Sequence, residues 1–280
     1  MNVRRWAALT RREMLKISRN PAAIGTSLTT PILYLLLFGQ GFNFTSSLNY
    51  LPPPERVAAL NSLLLGAPDY YSYFAAGMVG FVTVTATLFV GANVIFDKLF
   101  GTLKRTSASP ATATDIFGSR LVAGSIQPVL LAFLVLGLAF LFGDVGLSGL
   151  HVTAAVSLAG VGEILLSIVL LSLMFASLLL ALGFLIDQPQ TYFALVNAIN
   201  LPVLLTSAAL YPWGAMPTWL QEIASYNPIT LTVEVLRINF FGDAFYPYPA
   251  WVYLLGLIGW FAGTFTISVL LARKALAPKV

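Results

Sequence analysis

Six long apolar stretches, separated by polar or proline-punctuated intervals, run along the chain. They are Ala22–Phe44, Tyr71–Phe96, Leu121–Phe142, Val152–Ile186, Thr191–Tyr211 and Ala250–Ala272. A helix that crosses a bilayer needs about 20 mostly apolar residues, so each stretch predicts a spanning helix. Five of the six contain no charged residue, and the fourth contains Glu163 alone. That fourth stretch would be roughly 50 Å long if helical throughout, so it must tilt, bend or protrude, or divide into two shorter segments. Pro202 gives the fifth stretch an alternative reading as a broken or re-entrant helix.

Composition agrees with the pattern. The 280 residues are 58% hydrophobic and 9% charged, with a mean hydropathy of +0.84. Soluble chains carry about 25% charged residues, so the solvent this sequence is written for is a bilayer. The expected fold is an all-α integral membrane protein, a single domain over residues 1–280. No cysteine is present, which excludes disulfides, thiolate metal sites and cysteine nucleophiles. The first twenty residues scatter basic side chains with no apolar core before Ala22, unlike a cleavable signal peptide.

Orientation follows from lysine and arginine. Arg4, Arg5, Arg11, Arg12, Lys16 and Arg19 precede the first stretch. Lys98, Lys104, Arg105 and Arg120 lie between the second and third, and Arg273, Lys274 and Lys279 follow the last. Only Arg56 and Arg237 fall on the other side. Both termini and the 97–120 loop are therefore expected in the cytoplasm, in a multi-pass protein of the plasma membrane. The 45–70 loop and the 212–249 segment are expected outside.

The intervals have character of their own. In residues 2–20, Val3, Trp6, Ala7, Met14 and Ile17 share one helical face and the basic residues the other, which predicts an interfacial amphipathic helix. Asn20-Pro21 would end it. The 97–120 loop mixes Leu99, Phe100 and Leu103 with Asp97, Lys98, Lys104 and Arg105, a composition suited to a docking surface. A short helix ending near Ser109-Pro110 is expected there. Between the last two stretches, Trp213, Trp219 and Tyr226 suit a membrane interface. Pro217 and Pro228 can each open a short helix, so two short helices are expected at, or dipping into, the outer leaflet.

Together these segments resemble the permease subunit of type-2 ABC transporters, closest to the drug-resistance and nodulation-factor exporter branch. The resemblance covers nearly the whole chain. Its strongest signature is Met216-Pro217-Thr218-Trp219-Leu220, then Asn227-Pro228-Ile229-Thr230 and Val233-Glu234-Val235-Leu236-Arg237. Gly101-Thr102-Leu103 with Ser109-Pro110 is a second match, and Phe38-Gly39-Gln40-Gly41-Phe42 a third. The sequence departs from the pattern before Gly101, where the nearest acid is Asp97, and after Leu103, where Lys104 follows.

The resemblance implies a six-helix permease that pairs with a second permease, identical or not, and with two copies of a cytoplasmic ATPase. ATP and magnesium would bind that ATPase. Asp97, Leu99, Phe100, Gly101, Thr102, Leu103, Lys104 and Arg105 would couple to it. Arg4, Arg5, Trp6, Arg11 and Arg12 would belong to the interfacial elbow helix. Trp213, Trp219, Asn227, Pro228, Glu234 and Arg237 would lie in an extracellular re-entrant pair. The cargo expected for such uncharged walls is an apolar or amphipathic molecule, a drug, a lipid or a lipid-linked compound, moved outward.

The chain itself carries no catalytic constellation. It lacks a phosphate-binding P-loop, and its one histidine, His151, supports neither a metal site nor a triad. Nothing indicates nucleic acid as a partner. Glu163 is the one charged residue inside an apolar stretch, and is either a substrate, cation or proton contact or a structural carboxyl. Asn93, Asn197 and Asn200 are polar candidates for the route, each with an alternative role in interhelical packing. Gly77, Gly80 and Gly91 permit close helix approach, at a dimer interface or along a sliding helix. Glu234 and Arg237, three apart, could pair on a short helix, a contact worth little in water or, at an outer gate, one that holds the re-entrant helices in place. An ATP-independent secondary transporter or channel would use Glu163 as its coupling site, but would be expected to carry more intramembrane charge. A lipid-modifying enzyme would need clustered His, Asp or Glu at an interface, and none occurs.

Overall fold

The computed structural model describes residues 7, 10–15, 21–41, 52–103, 112–144 and 146–276. Helix α1 spans Pro21–Tyr34 and continues through a π-helical turn, Leu35–Gly39. Then follow α2 (Pro53–Leu64), α3 (Tyr70–Leu99), α4 (Ala113–Asp144), α5 (Leu158–Leu185) and α6 (Pro189–Leu205). Two short helices, α7 (Thr218–Tyr226) and α8 (Pro228–Phe241), precede the last, α9 (Ala250–Leu276). Among the described residues there is no strand, so the all-helical expectation holds.

Four helices are long and apolar enough to cross a membrane: α3, α4, α5 and α9. The apolar helix over Ser27–Gly39 is shorter, and α6 has 17 residues. The four long helices do not share burial equally. In α3 and α5, 72% of the apolar window is buried, against 28% in α4 and 17% in α9. The first pair is the centre of the bundle, and the second flanks it.

Glycine sets the closeness of the central pair. A side chain on Gly91 of α3 would strike the Leu179 carbonyl of α5, and one on Gly183 would strike Gly91 itself. Gly77 lies equally close to the backbone of Ala209, and Gly80 against Val233 and Ile229 of α8. These glycines serve contacts inside the chain, where a dimer interface or a sliding helix had been the expectation.

Three boundaries differ from the sequence reading. The fourth stretch is not helical from Val152: α5 begins at Leu158, where Ser157 caps it by accepting from Gly160 N (3.0 Å). Residues 150–157 are instead irregular and tie the chain to other elements. Thr153 N and Ala154 N both donate to Phe240 O, closing the C-terminus of α8. The 97–120 loop is shorter than expected, because α3 runs to Leu99 and α4 starts at Ala113. Asp97, Lys98 and Arg120 are therefore helical residues. Finally, the 45–70 interval contains α2, whose Pro53 occupies the first turn, as proline can where no donor is needed.

Of the N-terminal amphipathic helix, residues 10–15 are helical, with Arg11 exposed. Arg4, Arg5 and Trp6 lie outside the described residues, as do Lys104, Arg105 and the expected helix end at Ser109-Pro110.

Candidate functional sites at the two ends of the bundle

Chain direction gathers the candidate residues at two opposite ends. At one end α3 and α5 finish, α4 and α6 begin, and α9 finishes. A shared apolar cluster joins α3, α4, α5 and α9 there, including Phe117, Phe184 and Ala272 with Leu103 just beyond α3. At the other end lie the starts of α3, α5 and α9, the end of α6, and the short helices α7 and α8.

The first end is clamped by charge. Arg120 Nη2 of α4 donates to Asp97 Oδ2 of α3 at 2.6 Å, and both residues are buried. Next to it, Lys98 Nζ donates to the carbonyls of Phe184 (2.7 Å) and Ile186 (2.9 Å) and to Asp187 Oδ1 (2.9 Å). A helix leaves its last carbonyls without intrahelical partners and with partial negative charge. Lys98 therefore fastens the end of α5 to α3. Beyond the clamp the chain turns at Gly101, whose φ of 70° suits glycine. Leu103 folds back into the core, and Thr102 is half-buried. Leu99 and Phe100 point the other way, 60% and 77% exposed. Of the residues expected to couple to a partner, Asp97 and Leu103 thus face their own chain, while Leu99 and Phe100 face away from it.

The opposite end is built around α8. Every residue of this helix except Asn239 is buried. Asn227 caps it by accepting from Ile229 N (2.9 Å), and its Nδ2 donates to Val203 O (2.6 Å) and Thr206 Oγ1 (3.2 Å) of the α6 terminus. Pro228 occupies the first helical position, so its missing N–H costs nothing. Thr230 Oγ1 accepts from Ala208 N (3.0 Å). Irregular backbone in a low-dielectric setting needs partners for each polar group, and α8 supplies them to the turn after α6.

Arg237 is the centre of that arrangement. Its side chain is wholly buried, with Cζ 3.4 Å from the centroid of the Tyr73 ring. Its Nη2 donates to Ala208 O (2.9 Å) and Tyr73 O (3.1 Å). The Tyr73 hydroxyl donates to Tyr211 O (3.0 Å) and accepts from Trp213 N (3.0 Å). Glu234 Oε1 lies 3.6 Å from Arg237 Nη1, an ion pair without a hydrogen bond. Burial pushes the Glu234 carboxyl up to about 7, a rise that the Arg237 guanidinium opposes. Of the two readings of this pair, the hydrated one does not hold: both residues are buried, and Arg237 serves carbonyl groups as much as Glu234. Trp219 is 60% exposed on α7, and Trp213 begins a 3₁₀ turn.

Glu163 lies near the start of α5 and accepts from Asn239 Nδ2 (3.0 Å), the one partly exposed position of α8. The route candidates are not brought to it. Asn93 of α3 and Asn197 of α6 face out of the chain, and Asn200 is partly buried with its Oδ1 unpartnered among the described residues. Sequence reasoning did not find Tyr73, Asn239 or the clamping role of Lys98. Nothing in the sequence marks Tyr73 among its tyrosine neighbours. Lys98 had a signal, a basic residue in a helix's last turn.

Comparison with known proteins agrees with these features. The family model described as ABC-2 type transporter matches residues 4–241. A protein of Porphyra purpurea named as a transport permease, ycf38, is 30% identical over 82% of this chain and 72% of its own length. A ycf38 protein of Cyanophora paradoxa is 27% identical over 88% of this chain and 75% of its own length. The Escherichia coli protein YbhR, named as a multidrug ABC transporter permease, is 25% identical over 63% of this chain and 45% of its own. The chain belongs to the ABC-2 type transporter family, as a membrane permease.

Proposed function

We propose that this chain is the membrane subunit of an ATP-driven exporter and takes its power stroke at Leu99 and Phe100. The observation that carries the reading is the pairing of this exposed apolar step with the buried Asp97–Arg120 and Lys98 clamps immediately behind it. A large apolar pair projecting from a charged end is a protein-binding surface rather than a lipid-facing one. The clamps behind it would pass a push to α3, α4 and α5 together. Helix α3 then carries it about 36 Å, from Asp97 to Tyr73, at 1.5 Å per residue.

In this reading all six apolar stretches cross the bilayer, α1 and α6 included, with both termini in the cytoplasm. The N-terminal helix lies in the inner interface, and α7 and α8 enter the outer leaflet without crossing it. Two permeases pair around a central route, and each meets one ATPase carrying ATP and magnesium. The exposed Asn93 and Asn197 belong to that route or to its dimer seam. The cargo is an apolar or amphipathic molecule, in keeping with a relative named as a multidrug permease.

The test is co-purification of the tagged chain with the ATPase encoded beside it, and ATPase activity of the complex in lipid nanodiscs. A stable complex that is lost on Phe100→Asp, while the permease alone keeps its melting temperature, supports the reading. A chain that transports without any ATPase would overturn it.

A further inference from the structure

A cavity of about 350 Å³ lies between α8, the loop after it and the outer part of α9. That volume is in the range of small-molecule sites. Its walls are aromatic, with the rings of Tyr226, Tyr248, Tyr253 and Trp260 among them. Trp260 is fixed by donating from Nε1 to Tyr226 O (2.9 Å), and Tyr248 meets Tyr253 edge to face with centroids 6.4 Å apart. The same cavity is lined by Glu234 and Tyr246. Glu234 Oε1 and the Tyr246 hydroxyl are each buried without a hydrogen-bond partner among the described residues. An ionised carboxylate can accept about four hydrogen bonds. Leaving buried polar groups unpaired is costly, so two such groups lining one aromatic cavity point to an absent occupant.

The chemistry of the lining selects the occupant. Aromatic faces present negative potential and attract cations, most strongly where water is excluded. A carboxylate adds a full charge and acceptor capacity. An anion would meet the Glu234 carboxylate at the wall, whereas Arg237, its ion-pair partner at 3.6 Å, is not among the residues that line the cavity. A neutral apolar molecule would bring no charge to the Glu234 carboxylate.

We propose that this cavity binds an organic ammonium-type cation, with its charge toward Glu234 and its apolar body against the Tyr226, Tyr248, Tyr253 and Trp260 rings. Such a group arrives either as a free amphipathic cation or as the ammonium headgroup of a lipid. The site belongs to the chain alone and stands whether or not the ATPase reading does.

The probe is 1-methyl-4-phenylpyridinium, a compact aromatic cation that quenches tryptophan emission. The full chain is titrated in dodecyl maltoside at pH 8, with biphenyl-4-carboxylate as the anionic comparator. Saturable quenching by the cation alone is expected, weakened about ten-fold or more by Glu234→Gln and by Tyr248→Leu. Tyr248 is 57% exposed, so its variant keeps the test decisive if the buried substitution misfolds. Phosphatidylcholine that displaces the probe, where phosphatidylglycerol does not, assigns the site to a lipid headgroup; absence of displacement assigns it to a free cation. No saturable binding, equal binding of the anion, or binding that Tyr248→Leu leaves unchanged would overturn the proposal.

Discussion

The guanidinium carbon of Arg237 lies over the ring of Tyr73, 3.4 Å from its centroid, and the side chain donates to the carbonyl of the same tyrosine. This contact joins the start of the central helix α3 to the short helix α8. It also explains how a full positive charge stays wholly buried: two carbonyls, an aromatic face and a carboxylate at 3.6 Å replace its water.

Removing the cation should therefore cost far more than removing a surface charge. Arg237→Ala leaves Glu234 buried without a counter-charge and two carbonyls without a donor. A loss of about 3–5 kcal/mol in folding stability is expected. Arg237→Lys should recover only part of it, because a point charge cannot both stack on the ring and reach two carbonyls. Arg237→Met combined with Glu234→Gln should be milder than Arg237→Ala alone. Denaturation of the three variants in detergent, compared as a cycle with Glu234→Gln, measures this; equal losses throughout would show that charge pairing is irrelevant here.

Glu234 also predicts a pH dependence. Its carboxyl is raised from the ordinary 4.5 to about 7 by burial, against the pull of Arg237. The neighbouring Tyr246 phenol, raised well above its ordinary value by burial, stays protonated throughout this window. Between those two values the folded chain holds a proton that the unfolded chain has released. Stability should thus fall as pH rises from about 4.5 to 7 and level off above, by this group's contribution. The comparison is between wild type and Glu234→Gln, whose difference in melting temperature should change across that window and nowhere else. A pH-independent difference would place the folded-state value where the unfolded one is.

At the other end, Lys98 should couple elements rather than stabilise them. It crosses from α3 to the last carbonyls of α5, reaching Phe184 and Ile186. Lys98→Met keeps the length of the stem and removes the donors. A modest stability loss of about 1–3 kcal/mol is expected, together with a larger effect on function: a complex that still binds its ATPase but in which cargo no longer stimulates hydrolysis. Binding and stimulation measured separately on the same nanodiscs decide this, and loss of binding itself would assign Lys98 to the docking surface.

The sequence made the bilayer, the six apolar stretches and the two short helices legible, because each rests on a local signal: a run of apolar residues, or a proline after a polar cap. Asn227-Pro228 is such a signal, and its cap is in place. What stayed hidden was set by contacts distant in sequence. Glu163 carried no sign that Asn239 would be its partner, 76 residues away. Nor did Arg237 reveal that it would be buried against Tyr73, 164 residues away. The start of α5 was missed for another reason. Residues 152–157 are apolar enough to extend a span, but Thr153 N and Ala154 N donate to Phe240 O instead of within a helix. Asp97 was read as a docking charge because Arg120 lies across a turn whose closure composition does not show.

A close backbone contact between two of the long helices makes the last prediction. Gly91 and Gly183 bring the backbones of α3 and α5 together at a level where Tyr192 also donates to Leu88 O (2.9 Å) from α6. A methyl group on Gly91 would meet a backbone carbonyl and the tyrosine hydroxyl, neither of which is the free end of a flexible chain. Gly91→Ala should therefore force the helices apart, at about 1–3 kcal/mol. Gly137 of α4 has open space around its Cβ position, so Gly137→Ala should be neutral or slightly stabilising through helix propensity. The two variants carry the same chemical change, and melting temperatures measured side by side separate packing from propensity. If both are tolerated alike, α3 and α5 do not pack through these glycines. If only Gly91→Ala is destabilised, and Tyr192→Phe adds little to it, the two backbones are in contact as described.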